Sequence, residues 1–430
     1  MSHPVRLALM LSLLAPALAA QALPKAAHSA EGFSAARLVR LSGYFQETVD
    51  SNRVGGVVAM VFRHGKLVFE GAWGMADREA KRPMQLTTRF RIASQSKAVT
   101  SVAVMMLIEA GRLGLNDRVS KFIPGFATST VSTMVDSAGT RVTRIVAAKR
   151  QITIRDLLTH TAGYSYGTEP WVRELYAAEQ LGPKAGWGWY FADKREPICH
   201  SIERLAKLPA VAQPGEKWVY GYNTDILGCV VERASGMTLA EFFQRRIFAP
   251  LKMVSTSFCV QAEDAPQLAT VYSLTEAGLA RAPDGPLGQG EYIAGPCLSF
   301  SGGAGLISTA GDYARLLQML LNGGGLDGAR VLSPNTVALM TGNQVGTLYG
   351  TTGSGFGLGF AVLQDPGMAG VYGSVGLFSW GGAYHSTYWA DPADGIVAVF
   401  MTNLLPANGS LLQDRFRTLV YQARTTAVGH

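Results

Sequence analysis

The sequence predicts an α+β fold: one antiparallel sheet built from strands at both ends of the chain, flanked by helices, with a mostly helical region inserted between them. Three observations lead there. Near the start, "VGGVVAMVFRHG" and "KLVFEGAWG" are apolar stretches joined at His64-Gly65 like a hairpin. Towards the end, "GAGLIST", "GFGLGFAVL", "GVYGSVGLF", "AYHSTYWA" and "GIVAVFMTN" follow one another as strand-like segments. From about Leu115 to Pro296 the chain is instead rich in helix-like segments, loops and aromatics such as Trp171, Trp187 and Trp189. With 48% apolar and only 16% charged residues in 430, the chain is globular rather than disordered.

Taken in order, the first stretch, "MSHPVRLALMLSLLAPALAAQALPKAA", has an early charge at Arg6, an apolar core from Leu7 to Leu14, and small residues Ala17, Ala19 and Ala20 spaced for cleavage. It reads as an export signal removed near residues 20–22, which places the mature protein in the periplasm or outside the cell. A membrane anchor fits poorly, because Pro16 interrupts an apolar run shorter than the ~20 residues a bilayer demands. Gly32 to Ser51 then reads as an amphipathic helix, the hairpin follows, and a helix from about Gly409 to Ala423 closes the chain. The expected division is a signal at residues 1–22, an α/β domain from 23–114 with 297–430, and a helical domain at 115–296.

The formal charge of +7 permits binding to nucleic acid, but the basic residues never run longer than pairs such as Lys81-Arg82, Lys149-Arg150 and Arg245-Arg246. A scattered, solvated surface is expected, with no nucleic-acid partner. Cys199, Cys229, Cys259 and Cys297 lack C-x-x-C spacing and paired histidines, so no metal site is expected. After export they can oxidise. The expected pair is Cys259 with Cys297, while Cys229 in "ILGCVVE" reads as an ordinary buried thiol.

The chemistry centres on "FRIASQSKAVTSVAVMMLIEAG", Phe90 to Gly111. On a helix, positions i and i+3 share a face, so Ser94 and Lys97 of "SQSK" sit side by side at the first turn. A serine hydroxyl needs a neighbour to take its proton, and a lysine whose charged form is disfavoured by burial can be that base. The helix start also offers free N–H groups where an oxyanion develops. Val99, Val102, Ala103, Val104, Met105, Met106, Leu107 and Ile108 surround the rest of the helix with apolar side chains, so the polar pair marks the exposed tip of a core element.

This stretch resembles the serine β-lactamase and penicillin-binding superfamily, whose first motif is S-x-x-K at the head of a buried helix. The likeness to the β-lactamase-like (family VIII) carboxylesterases is closer and extends over most of the mature chain. It is carried further by "ITIRDLLTHTAGYSYG" from Ile152, "PGEKWVYGYNTDILGCVVERASG" from Pro214, "GGAGLISTAGDYARLLQMLLNGG" from Gly302 and "WGGAYHSTYWADP" from Trp380. The resemblance implies a β-lactamase/DD-peptidase-like fold and a serine hydrolase that cleaves short-chain carboxylic esters without a cofactor. Matching the family's second motif, a tyrosine starting Y-x-N or Y-S-x, gives Tyr220 the proton-relaying role. Tyr222 is a rival, because the asparagine of a strict Y-x-N stands one place later, at Asn223. Where lactamases carry K-[ST]-G, the chain has Trp380-Gly381-Gly382, as in the esterase branch. The two glycines admit close backbone approach, and the N–H of Ala383 is the candidate second oxyanion donor beside that of Ser94. His385 is the one nearby candidate to replace the missing cation. The alternatives implied are a β-lactamase, a peptidase of D-alanyl peptides, or a catalytically silent penicillin-recognising domain.

One competing motif is present. "GYSYG", Gly163 to Gly167, matches the G-x-S-x-G nucleophile elbow, with His200 and His385 downstream. That elbow needs a strand before the serine and a helix directly after it, whereas "RDLLTHTAG" reads as a short helix and "TEPW" follows. Ser165 is therefore expected in a loop at the cleft rim, with Tyr164 and Tyr166 as pocket walls.

Overall fold

A computed structural model describes residues 23–137, 140–183, 187–407 and 409–425; the expected export signal lies outside the described residues. Helix α1 (Ala35–Asp50) begins at Ser34, whose hydroxyl accepts the Arg37 N–H, and it buries Leu38, Leu41 and Phe45 on one face. The hairpin follows as β1 (Gly56–Arg63) and β2 (Lys66–Asp77). His64 and Gly65 at its tip have φ of 49° and 76°, the mirror-image turn whose twist suits two strands closed by two residues.

Six further strands complete the sheet: β3 (Arg82–Pro83), β4 (Ser354–Phe356), β5 (Ala361–Leu363), β6 (Phe378–Gly381), β7 (Thr387–Asp391) and β8 (Ile396–Met401). Their spatial order is β4-β5-β6-β7-β8-β1-β2-β3, antiparallel throughout. The first and last long strands are partners, with Val58 opposite Met401 and Arg63 opposite Ile396, so the ends of the chain meet at the sheet's centre.

Alternation along these strands divides the core into two layers. Val57, Ala59, Val61, Ile396, Ala398 and Phe400 face α1 and the closing helix α5 (Leu412–Gln422), where Phe45, Trp389 and Phe416 fill the gap. Val58, Met60, Val397, Val399 and Met401 face the opposite way, onto a larger core shared with α2 (Ser96–Glu109), α3 (Asn223–Ser235) and α4 (Ala310–Leu321). Every residue of α2 from Ser96 to Leu107 is buried, which explains its lack of a polar face: it has protein on all sides.

Several expected strands are shorter or broken. "GFGLGFAVL" is two strands, β4 and β5, because the chain reverses where the Gly357 N–H donates to the Phe360 carbonyl. Most of "GVYGSVGLF" is irregular and only Phe378 enters β6, while "GAGLIST" keeps the two residues Ile307–Ser308, laddered with Phe90–Arg91. The stretch 115–296 holds helices and also two hairpins, Thr130–Ser137 with Thr140–Ala147 and Tyr272–Thr275 with Gly278–Arg281.

Cys259 is bonded to Cys297. Cys229 departs from the expected free thiol and pairs with Cys199. The helix Ile198–Leu205 packs on α3 and brings the two Cα atoms to 5.1 Å, a separation that a disulfide spans and that linear spacing does not reveal.

Candidate active site

Ser94 sits in a 3₁₀ turn, Ala93–Gln95, that runs directly into α2, so it stands just before the α-helix and not inside its first turn. Lys97 is the second residue of α2, three places after Ser94, and that spacing keeps the two side chains on one face. The Lys97 Nζ donates to Ser94 Oγ at 3.3 Å, to the Tyr166 hydroxyl at 3.1 Å and to the Gly303 carbonyl at 2.8 Å. Ser94 is half-exposed and Lys97 is buried, so the nucleophile candidate faces outward with the amine behind it. The turn is pinned from below: the Tyr313 hydroxyl donates to the Gln95 carbonyl at 2.8 Å, and the Leu306 N–H donates to Ser96 Oγ at 3.0 Å. Ala93, just before the serine, has φ of 40°, a left-handed conformation that a non-glycine residue holds only under constraint.

The two candidate tyrosines have different surroundings. Tyr220 is half-exposed, accepts the Trp380 indole N–H at 3.2 Å, and lays its ring 4.7 Å from the Lys97 Nζ. Tyr222 is fully buried at the start of α3, accepts the Gly182 N–H at 2.9 Å, and has its hydroxyl pKa pushed up by burial. Thus Tyr220 lies with Lys97 and Trp380, and Tyr222 braces the interior. The displaced Asn223 holds the segment between them, its Nδ2 donating to the Val219 carbonyl and to His160 Nδ1, both at 3.0 Å. His160 packs its ring 4.9 Å from that of Tyr220, and burial keeps its pKa well below the ordinary histidine value, so it is neutral.

The third element is the end of β6, where Trp380 pairs with Tyr388 and Gly381 with Thr387. Gly382 then passes so close to the segment before Ser94 that a Cβ there would fall 2.4 Å from the Ile92 carbonyl oxygen. Ala383, next in the chain, packs against the small apolar cluster that includes Ala93, the residue before the serine. Trp218, Tyr349 and Phe356 extend the aromatic surface beside Trp380 and Tyr220.

Two proposed contributors fall away. His385 occupies the turn after Gly382, with φ of 67°, and burial lowers its pKa, so it is neutral near pH 7 and does not supply a cation. Tyr164 is enclosed in the core, edge-on to Phe126, and is not a pocket wall; Tyr166, two residues on, is the one that reaches Lys97. Ser165 is buried, donates to Glu169 at 2.6 Å and accepts the Gly167 N–H at 3.0 Å. It caps a loop between the helices Ile154–Leu158 and Pro170–Ala178, without the strand an elbow needs.

Sequence reasoning missed the Tyr166 hydroxyl and the Gly303 carbonyl as partners of Lys97. The signal for the second was the glycine pair in "SGGAG", which marks a close backbone approach without saying to what. Among the described residues, no three His, Cys, Asp or Glu side chains are grouped to hold a metal ion.

Comparison with known proteins finds relatives over most of the chain. Residues 41–423 match the family described as Beta-lactamase. Esterase EstB of Burkholderia gladioli is 33% identical over 386 residues, covering 86% of this chain and 91% of that protein. Among solved structures, EstCE1, described as a hydrolase with promiscuous acyltransferase activity, superposes with a TM-score of 0.76 at 30% identity, covering 90% of this chain and 98% of its own. The unliganded simvastatin synthase LovD of Aspergillus terreus gives 0.73 at 25% identity, covering 90% of this chain and 98% of its own.

Proposed function

This chain belongs to the beta-lactamase family, and from that premise we propose how its site works and what it takes. It is a serine hydrolase of the β-lactamase-like type that cleaves carboxylic esters. In the proposed cycle Ser94 Oγ attacks the acyl carbonyl while Lys97, as general base, takes its proton. The oxyanion is met by the backbone N–H groups of Ser94 and Ala383. Tyr220 passes a proton to the departing alkoxide, which leaves as the alcohol, and Ser94 is left acylated. Water, deprotonated by the same groups, then adds to the acyl carbonyl and releases the acid, restoring Ser94. The observation that carries this reading is the Lys97–Ser94 hydrogen bond at the half-exposed tip of a buried helix.

The substrate proposed is a small, uncharged, short-chain ester. A penicillin or D-alanyl peptide presents a carboxylate beside the reacting carbonyl, and a charge-assisted bond to it helps hold attacking geometry. Support for the ester comes from Trp380 at the end of β6, from neutral His385, and from the aromatic surface of Trp218, Tyr349 and Phe356. The leader-like residues 1–22 and the two disulfides support a periplasmic or secreted location, where thiols stay oxidised. No helix of the described residues is long and apolar enough to cross a membrane.

Steady-state kinetics test this reading. The kcat/KM for p-nitrophenyl butyrate is expected to exceed that for benzylpenicillin by roughly 10- to 10²-fold, the scale of one lost charge-assisted contact. A higher value for the penicillin would mean that a cation grips the carboxylate after all. Turnover of neither would move the reading to a silent penicillin-recognising domain.

A further inference from the structure

Asp225 lies on α3, five residues past Tyr220, and is completely buried. Its Oδ1 accepts the Ser301 hydroxyl at 2.5 Å and the Gly303 N–H at 3.1 Å, while its Oδ2 is enclosed and has no hydrogen-bond partner among the described residues. A buried carboxylate is costly unless a positive charge compensates it. That charge stands on the far side of one residue: Gly303, whose N–H binds Asp225, turns its carbonyl to Lys97 Nζ at 2.8 Å. The turn is closed by the Ala304 N–H, which donates to Ser301 Oγ at 2.9 Å. Only glycine fits at 303, since a Cβ would lie 2.5 Å from Asp225 Oδ2.

We propose that Asp225 is a positioning residue that acts through Gly303 on Lys97: it aims the Gly303 carbonyl at the amine, and its negative charge governs when Lys97 gives up its proton. The proposal rests on the reading of Ser94 and Lys97 as nucleophile and base. The other titratable groups around the pair do not compete. Tyr166 and Tyr222, which face both Asp225 and the lysine's surroundings, are held neutral because burial pushes their hydroxyls up. His160, behind Tyr220, is held neutral by burial and by the nearby Lys97 charge. Tyr220 presents its ring to the amine. Asp225 itself is pushed up by burial and pulled back down by Lys97, Ser301 and the Gly303 N–H.

The sign follows directly. Loss of the negative charge disfavours the ammonium, so Lys97 becomes a free base at lower pH, and the acid limb of kcat/KM moves down. The test is the pH profile of p-nitrophenyl butyrate hydrolysis for wild type, Asp225→Asn and Asp225→Ser. Folding is followed by circular dichroism, and a fluorophosphonate adduct on Ser94 is sought by mass spectrometry. The neutral variants are expected to fold, to label at Ser94, and to shift the acid limb down by about one pH unit, the low end of what a nearby opposite charge does. A folded, labelled variant with an unmoved limb overturns the proposal. So does failure of both neutral variants to fold, since the carboxylate would then serve the fold rather than Lys97. Absence of the adduct in wild type would instead bring down the underlying assignment of Ser94, a separate result.

Discussion

Tyr220 and Tyr222 are separated by one glycine, yet one stands beside Lys97 and the other is sealed among Tyr166, Tyr176 and Phe191. Tyr220→Phe is expected to lower kcat by at least ~10²-fold, the scale of a positioned acid-base group. Tyr222→Phe should leave kcat nearly intact and cost about 1 kcal/mol of stability, because it strips a partner from the Gly182 N–H. Thermal melts beside the two kcat values check both; the reverse pattern would transfer the role to Tyr222. The two candidate serines separate in the same way. Ser94→Ala should abolish ester hydrolysis, whereas Ser165→Ala should keep most of it, because Ser165 is buried in its loop with its hydroxyl tied to Glu169 and the Gly167 N–H. Fluorophosphonate labelling should fall on the Ser94 peptide. Ser94 and Lys97 were legible because three-residue spacing is a local property; the Tyr166–Lys97 bond joins residues 69 apart and was not.

At the scale of elements, the site depends on how the end of β6 docks against the 3₁₀ turn before α2. Gly382 passes Ile92 with no room for a side chain, and Ser386 Oγ would lie 2.6 Å from a Cβ on its other side. Gly382→Ala should therefore force the strand end outward and carry Ala383 with it. A displacement of about 1 Å is enough to cost ~10²-fold in kcat, and melting temperature should fall as well. A fully active Gly382→Ala would show that this contact does not place the second oxyanion donor. The element boundaries themselves were only partly legible. The β1–β2 hairpin, with its two-residue turn, was read from sequence, whereas "GFGLGFAVL" looked continuous because its apolar residues masked the turn that Gly357 and Gly359, the latter at φ 100°, make possible.

For the whole molecule, burial of neutral histidine makes stability depend on pH. His160 is held well below its ordinary value by burial, so below about pH 6.5 the unfolded chain binds a proton there that the native state refuses. Stability should then fall as pH drops from 7 to 5, and His160→Gln should flatten that part of a calorimetric pH series. A second loss is expected between about pH 4.5 and pH 2, because Arg204 holds Glu196 down to about 2 and hydrogen bonding from Lys66 lowers Glu31. A melting temperature unchanged from pH 7 to 5 would exclude a large native shift at His160. The same scale shows where reading the chain stops. The α+β class, the strands at both ends, the buried helix and the Ser94–Lys97 pair follow from sequence alone, because each rests on period, composition or spacing within a few residues. The different surroundings of Tyr220 and Tyr222, the burial of His385, the Cys199–Cys229 bond and the place of Asp225 behind Lys97 came only from tertiary packing. Each depends on which distant segments share one low-dielectric space, and burial there, not residue type, decides which groups are free, which are charged and which can touch.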